Sequence, residues 1–121
     1  MGMFCVAAKQ LIFQRREGME ISLFDNGNGV LARLDGELDE YTAEHVRLSL
    51  DKVLEGMQAG ATLTLDLGGV SFMDSTGIGV LLARYNKFSG KGIAIEIKNA
   101  HGHIDKILKM SGIYTLMRRG E

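Results

Sequence analysis

The chain has 121 residues and a net charge of −1, with 45% apolar and 24% charged residues. This length and composition are typical of a single soluble globular domain. The near-neutral charge argues against nucleic acid as the main partner, because phosphate binding needs a concentrated basic face. The single cysteine, Cys5, excludes an intrachain disulfide, and no apolar run reaches the ~18 residues of a membrane span. We therefore predict a cytoplasmic protein with no membrane partner.

Residues 1–18 do not share the pattern of the rest of the chain. We interpret them as an N-terminal extension that precedes a domain over residues 19–121. Residues 3–13 are mostly apolar, with a weak helical spacing. Because the codons for Arg-Arg-Glu-Gly at residues 15–18 can resemble a ribosome-binding site, we also hypothesise that the natural start is Met19.

The remainder of the chain alternates between two apolar patterns. Leu63, Leu65 and Leu67 alternate with polar residues, as in a strand, whereas Val46 and Leu50 belong to a series at helical spacing. The predicted elements are strands over residues 20–24 and 30–34, a helix over 42–57, a strand over 62–67, a helix ending near 90, a strand over 93–97, a helix over 104–111 and a strand over 113–117. Residues 35–39 are expected to close the first hairpin.

This order, β-β-α-β-α-β-α-β, predicts an α/β fold with a mixed, mostly parallel sheet. Functional sites in such sheets gather at the carboxyl ends of strands. The polar run Asp74-Ser75-Thr76 follows the third predicted strand and precedes a helix. It is therefore the first candidate for a site.

Three enzyme motifs fail around this run. A dinucleotide fingerprint that starts at Gly77 and Gly79 needs a third glycine where Leu82 stands. The Gly-Lys-Ser/Thr ending of a phosphate-binding loop is absent, and a nucleophile elbow around Ser75 would need glycine in place of Met73. A small nucleotide-binding enzyme is therefore the weakest of the functions that we consider.

The histidines give no strong metal signal. His101, His103 and Asp105 lie at the start of a predicted helix, where such residues are more often solvated capping residues than ligands. We predict no metal site there, and we interpret His45 as a surface residue.

Ser75 has two interpretations from spacing alone. Its hydroxyl can cap the following helix, although Asp74 can do this as well. Alternatively, Ser75 is an exposed modification site, and a phosphate there would add a charge of about −1.5 to −2 that a helix N-terminus tolerates. Spacing favours the cap and leaves the modification open.

Three separated motifs change this balance. Val-Ser-Phe-Met-Asp-Ser-Thr-Gly-Ile-Gly-Val at residues 70–80, Gly-Glu-Leu-Asp at 36–39 and Met-Ser-Gly-Ile at 110–113 closely resemble those of the bacterial anti-sigma factor antagonists. These proteins belong to the sulphate transporter and anti-sigma factor antagonist (STAS) domain family. The resemblance covers about residues 19–118, and it implies a four- or five-stranded sheet with helices.

The resemblance also implies partner switching. The unphosphorylated antagonist binds an anti-sigma factor that is a serine kinase, which releases the sigma factor. Phosphorylation by that kinase dissociates the complex, and a phosphatase of the PP2C type reverses it. The domain itself has no catalytic activity and no cofactor, since the partner binds ATP.

The family's site residues fall on six positions of two motifs. The resemblance implies that Ser75 is the phosphate acceptor, and we interpret Ser75 as a cap position that doubles as this acceptor. The residues that it assigns to partner binding are Glu37, Asp39, Asp74, Ser75, Thr76 and Gly77. We expect Ser75 and the acidic segment 37–39 to be neighbours, in a docking surface that suits a basic partner.

One departure from the family concerns the end of the chain. Family members usually continue past the last strand into a further amphipathic helix, which this sequence lacks. We hypothesise that residues 3–13 cover the exposed apolar surface, in their own chain or in a neighbour's, which would give a homodimer. The main alternative function is a STAS scaffold, or a subunit of a lipid-transport or signalling complex, that binds its partner without phosphorylation.

Overall fold

The computed structural model describes the backbone of residues 10–120 and the side chains of residues 16–120. Within this part, no helix is long and apolar enough to cross a membrane. In chain order the elements are β1 (Gln10–Arg16), β2 (Met19–Asp25), β3 (Gly29–Leu38), α1 (Ala43–Glu55), β4 (Thr62–Met73), α2 (Ser75–Phe88), β5 (Ala94–Lys98), α3 (Gly102–Ser111) and β6 (Arg118–Arg119).

The strands form one six-stranded sheet in the order β1-β2-β3-β4-β5-β6. The β1–β2 and β2–β3 pairs are antiparallel, and the three remaining pairs are parallel. The helices connect the parallel strands, as crossover connections require. The predicted α/β fold and the order of β2 to β6 with three helices are confirmed, and β1 adds one strand beyond the four or five expected.

The core lies on the face of the sheet that the apolar alternation predicts. Successive strand residues point to opposite faces, and the alternating residues Leu63, Leu65 and Leu67 of β4 are all buried. The fully buried residues include Ile21, Leu34, Leu65 and Ile97 from the sheet, with Leu50 and Leu81 from the helices. Burying a side chain of this size contributes roughly 1.5–3 kcal/mol each.

Strand β1 lies in the N-terminal extension, where we predicted no strand and noted only a weak helical spacing over residues 3–13. Gln10–Arg16 pairs with β2 across a tight turn in which Gly18 adopts a φ of 89°. The pairing with β2 stabilises this strand through backbone hydrogen bonds. The local sequence does not predict the strand, because its apolar residues are consecutive and do not alternate. Residues 1–9, with Cys5, lie outside the described residues. The packing of residues 3–13 on an apolar surface and the homodimer therefore stay predictions.

Two other predicted boundaries are wrong. Strand β3 runs on to Leu38 through residues that we expected to close the hairpin, and β4 runs past its predicted end at residue 67 to Met73. The two strands pair with each other as far as Leu38 opposite Met73. Register shifts occur along this pair after Arg33 and after Gly36, and such bulges let glycine-rich strands continue.

The last strand also lies further along the chain than predicted. Ile113–Thr115 is a short 3₁₀ turn, and the strand pairing with β5 occurs at Arg118–Arg119. Ile113 and Met117 are both buried. Their four-residue spacing places the two side chains on the same side of a helical turn.

Candidate functional site

Asp74, and not Ser75, caps helix α2. Asp74 has an extended backbone, and its Oδ1 accepts hydrogen bonds from the N–H groups of Thr76 at 3.0 Å and Gly77 at 3.2 Å. Ser75 is the first residue of the helix and is exposed. The interpretation of Ser75 as the cap is therefore wrong, because the residue before a helix has the backbone geometry that lets its side chain reach back.

Because Asp74 caps the helix, the Ser75 hydroxyl is not needed as a cap. It makes no hydrogen bond to any described residue, whereas the neighbouring carboxylate already satisfies two of the free N–H groups of the first turn. The hydroxyl of Thr76 is exposed as well. The N-terminus of α2 thus presents two adjacent hydroxyls to solvent, beside the half-buried carboxylate of Asp74.

Gly77 fixes this end of the helix against strand β3. A Cβ at residue 77 would lie 2.8 Å from the carbonyl oxygen of Leu38 and 2.9 Å from Cγ of both Leu38 and Met73. The backbone N–H of Asp74 also donates to the Leu38 carbonyl, at 3.4 Å. Only glycine permits this close approach, which holds Ser75 next to the end of β3.

Glu37 and Asp39 flank Leu38, so the acidic segment lies beside Ser75 as expected. In the parallel pairing, Glu37 is opposite Phe72 and Leu38 is opposite Met73. The two carboxylates differ in their contacts. Glu37 is exposed, whereas Asp39 Oδ1 accepts hydrogen bonds from the N–H groups of Tyr41 at 2.9 Å and Thr42 at 3.2 Å. Asp39 therefore organises the turn, and Glu37 presents its charge to solvent.

The surface around this turn is strongly acidic. Residues 34–46 contain five carboxylates and neither lysine nor arginine. Glu37, Glu40 and Glu44 are exposed, and none of them forms an ion pair with the residues that the structure describes. We call the segment of residues 37–44, together with Asp74 and Ser75, the acidic surface.

The turn between β1 and β2 contacts the acidic surface through Gly18. The carbonyl oxygen of Gly18 accepts the N–H of Glu37 at 2.9 Å, and a Cβ on Gly18 would lie 3.3 Å from the Thr42 methyl group. Sequence reasoning missed this contact, because it depends on the pairing of β1 with β2. The glycine at residue 18, with the predicted strand directly after it, was the one local signal of a turn.

Asp105 and His101 are part of the framework, whereas His103 is exposed. Asp105 accepts a hydrogen bond from the Tyr114 hydroxyl at 2.8 Å and pairs with Lys109 at 3.2 Å and Arg119 at 2.9 Å. The Tyr114 hydrogen bond is the main cause that lowers the pKa of Asp105, and burial, aided by Asp105, raises the pKa of Tyr114 to about 12. Nε2 of His101 lies 3.1 Å from the Gly68 carbonyl oxygen. In residues 16–120 no three His, Cys, Asp or Glu side chains group as metal ligands would.

The comparison with protein families fits this site and fold. The family model of the STAS domain matches residues 21–119.

The chain belongs to the STAS domain family.

An anti-sigma F factor antagonist from Paenibacillus polymyxa is 31% identical over 99 residues, which cover 82% of this chain and 84% of that protein. An anti-sigma-B factor antagonist from Bacillus subtilis is 26% identical over 95 residues, which cover 78% of this chain and 84% of that protein.

Two solved structures of another protein, in different phosphorylation states, also resemble the fold. The anti-sigma factor antagonist SpoIIAA in its unphosphorylated form superposes with a TM-score of 0.66 and 27% identity, over 84% of this chain and 88% of the other. SpoIIAA of Bacillus in the phosphorylated form superposes with a TM-score of 0.62 and 26% identity, over 84% of this chain and 91% of the other. The fold that this chain adopts therefore accommodates a phosphate in a relative.

Proposed function

We propose that this STAS protein is an anti-sigma factor antagonist that acts by partner switching. In its unphosphorylated form it binds an anti-sigma factor that is a serine kinase and so releases the sigma factor. The kinase then phosphorylates Ser75, the complex dissociates, and a PP2C-type phosphatase restores the first state. The observation that carries the proposal is the exposed, unbonded hydroxyl of Ser75 beside the acidic surface.

The geometry of the cap explains how such a switch would work. A phosphate on Ser75 adds a charge of about −1.5 to −2 at the positive end of α2, where a helix tolerates it. However, the N–H groups of Thr76 and Gly77 are already bound to Asp74, so they offer the phosphate no ready cradle. The new charge would therefore remain at the surface, and the fold of the chain would stay as it is.

The effect on a bound partner is electrostatic. The acidic surface suits a basic face, and Glu37, Asp39 and Asp74 lie close to Ser75. A phosphate in the middle of the docked area would be desolvated beside these carboxylates. A loss of about 3 kcal/mol of binding free energy corresponds to ~100-fold lower affinity, which is enough to release the partner.

The same proposal assigns no catalytic step and no cofactor to this chain. The kinase partner holds ATP, and Ser75 is the substrate of the transfer. Its hydroxyl oxygen bonds to the γ-phosphorus as the hydroxyl proton leaves and the bond to ADP breaks, so ADP is the leaving group. Since sigma factors act on transcription, we also propose a cytoplasmic location.

Phosphate transfer in vitro tests the proposal. The protein is incubated with the host's anti-sigma kinases and ATP, and the phosphate is located by peptide mass spectrometry. We expect one phosphate at Ser75, its loss in Ser75→Ala, and its retention in Thr76→Val, which removes the adjacent exposed hydroxyl. Binding without modification by any kinase would favour the scaffold alternative, and ATP turnover by the protein alone would favour an enzyme.

A further inference from the structure

Tyr41 is the most exposed large apolar side chain among the described residues, with 89% of its surface accessible. Its backbone is nevertheless fixed. The N–H of Tyr41 donates to Asp39 Oδ1 at 2.9 Å, and the next residue, Thr42, is buried and donates its hydroxyl to the Glu37 carbonyl at 2.7 Å. An aromatic ring presented on a rigid turn loses little conformational entropy on binding, which is typical of interface anchors.

The ring lines a cavity of about 460 Å³ between the β1–β2 turn and the start of α1. The cavity is lined by Arg16, Glu17, Tyr41, Glu44, His45 and Leu48. Leu48 is 49% exposed, so two of the five exposed large apolar residues of the described chain meet here.

The cavity has the chemistry that recognises a guanidinium group. Glu17 and Glu44 line it, and Glu40 is exposed directly before Tyr41. The two basic residues that line the cavity, Arg16 and His45, only partly neutralise these carboxylates. Arg16 is exposed, and burial, with the nearby Arg16, lowers the pKa of His45, which therefore stays neutral at pH 7. An arginine can stack on a tyrosine ring while it pairs with carboxylates, which a lysine does less well.

The cavity is continuous with the acidic surface. Arg16 and Glu17 also line a second cavity, of about 690 Å³, whose lining includes Glu37 and Ser71. The Gly18 carbonyl joins the turn to the Glu37 N–H at 2.9 Å. A partner docked over Ser75 and Glu37 can therefore reach Tyr41 across the β1–β2 turn, past Arg16 and Glu17, which line both cavities.

We propose that the Tyr41 cavity is a second docking point for the anti-sigma kinase and takes an arginine side chain of that kinase over the Tyr41 ring. This inference rests on the proposed function and adds residues that lie outside the motifs of the family. It predicts that affinity for the kinase depends on α1 and on the β1–β2 turn as well as on the start of α2.

Calorimetric titration of the kinase with Tyr41 variants tests the inference. We expect Tyr41→Ala to bind at least about tenfold more weakly, as truncation of an anchor residue does. Tyr41→Phe keeps the ring and should bind within about twofold of the wild type, whereas Tyr41→Leu keeps apolar area without a π face and should fall between the two. Met110→Ala is the matched control, because Met110 is 77% exposed at the far end of α3.

Three results would overturn the inference. The first is a Tyr41→Ala variant that binds the kinase within twofold of the wild type. The second is a melting temperature that falls by several degrees in Tyr41→Ala, because the ring would then pack on another segment of its own chain. The third is a change of oligomeric state, since a second copy would then occupy the cavity.

The same titrations separate this inference from the proposed function. If only the inference fails, the wild type binds the kinase, Ser75 is phosphorylated, and Tyr41→Ala behaves like the wild type in both. If the proposed function fails, the wild type itself accepts no phosphate on Ser75 from any kinase, and where it also binds none of them the inference falls with it.

Discussion

Asp74 binds the N–H of Gly77 at 3.2 Å, across the residue that we propose as the phosphate acceptor. Gly77 in turn has no room for a side chain against Leu38. The Asp74 hydrogen bond and the close packing of Gly77 against Leu38 together fix the first turn of α2. They hold Ser75 at a defined place on the surface while its hydroxyl remains unbonded, so the structural task and the chemical task lie on adjacent residues.

The assignment of the cap predicts different stabilities for two alanine variants. Asp74→Ala removes the side chain that accepts from the N–H groups of Thr76 and Gly77, and should lower the free energy of unfolding by about 0.5–2 kcal/mol. Ser75→Ala should stay within about 0.5 kcal/mol of the wild type, as a surface substitution without a specific contact does. Urea denaturation measures both. A larger loss for Ser75→Ala than for Asp74→Ala would contradict the assignment.

The two glycines of α2 should respond in opposite directions to the same substitution. Gly77→Ala places a methyl group 2.8 Å from the Leu38 carbonyl oxygen and should cost about 1–3 kcal/mol. Gly79 is exposed with open space around its Cα, so Gly79→Ala should stabilise the protein by about 0.5–1 kcal/mol through helix propensity. Thermal unfolding of the pair is the measurement, and two variants that shift the melting temperature in the same direction would argue against this packing.

A buried ion pair joins helices α1 and α2. Asp51 and Arg84 are both at least 90% buried, and Arg84 Nε lies 3.1 Å from Asp51 Oδ1, although the angle is poor for a hydrogen bond. Asp51→Ala leaves the Arg84 charge buried without a carboxylate and should cost about 3–5 kcal/mol. Arg84→Met should cost less, because Lys87 still lies 3.4 Å from Asp51 Oδ2. Equal losses of unfolding free energy in the two variants would count against this account of the pair.

Tyr114 predicts a titration at the alkaline end of the pH scale. Burial and the Asp105 carboxylate raise its pKa from the ordinary value near 10 to about 12. The folded state therefore favours the neutral phenol, and this contribution to stability is complete below pH 10 and is lost as pH rises through about 12. Ultraviolet titration should show a phenolate component near pH 12 that is absent from Tyr114→Phe. Identical alkaline curves for the two proteins would contradict the prediction.

The parts of the fold that the sequence predicts well are those with local causes. Helix α3 was predicted over residues 104–111, and it ends where Gly112 adopts a left-handed conformation. Both signals for this helix, the apolar residues at helical spacing and the glycine at its end, lie within or directly after the helix itself. Strand β1 has no such local signal, because its hydrogen bonds come from β2 and its apolar residues are consecutive.

The site divides along the same line. The apolar pattern predicted that Ser75 follows a strand. The expected closeness of the second and third predicted strands placed Ser75 beside the segment 37–39, which the β3–β4 pairing confirms. Spacing could not decide between Asp74 and Ser75 as the cap, because both side chains can accept a hydrogen bond and only the backbone conformation distinguishes them. The role of Gly18 behind Glu37 depends on a turn between two paired strands, which a single sequence does not encode locally.

The affinity of the two phosphorylation states for the kinase tests the central claim most directly. The protein is prepared with and without phosphate on Ser75, circular dichroism checks that both forms are folded, and each is titrated into the anti-sigma kinase by calorimetry. We predict the same fold in both forms and an affinity lower by ~100-fold for the phosphorylated form. Equal affinities of two equally folded forms would contradict the account, since the phosphate on Ser75 would then not control the partner.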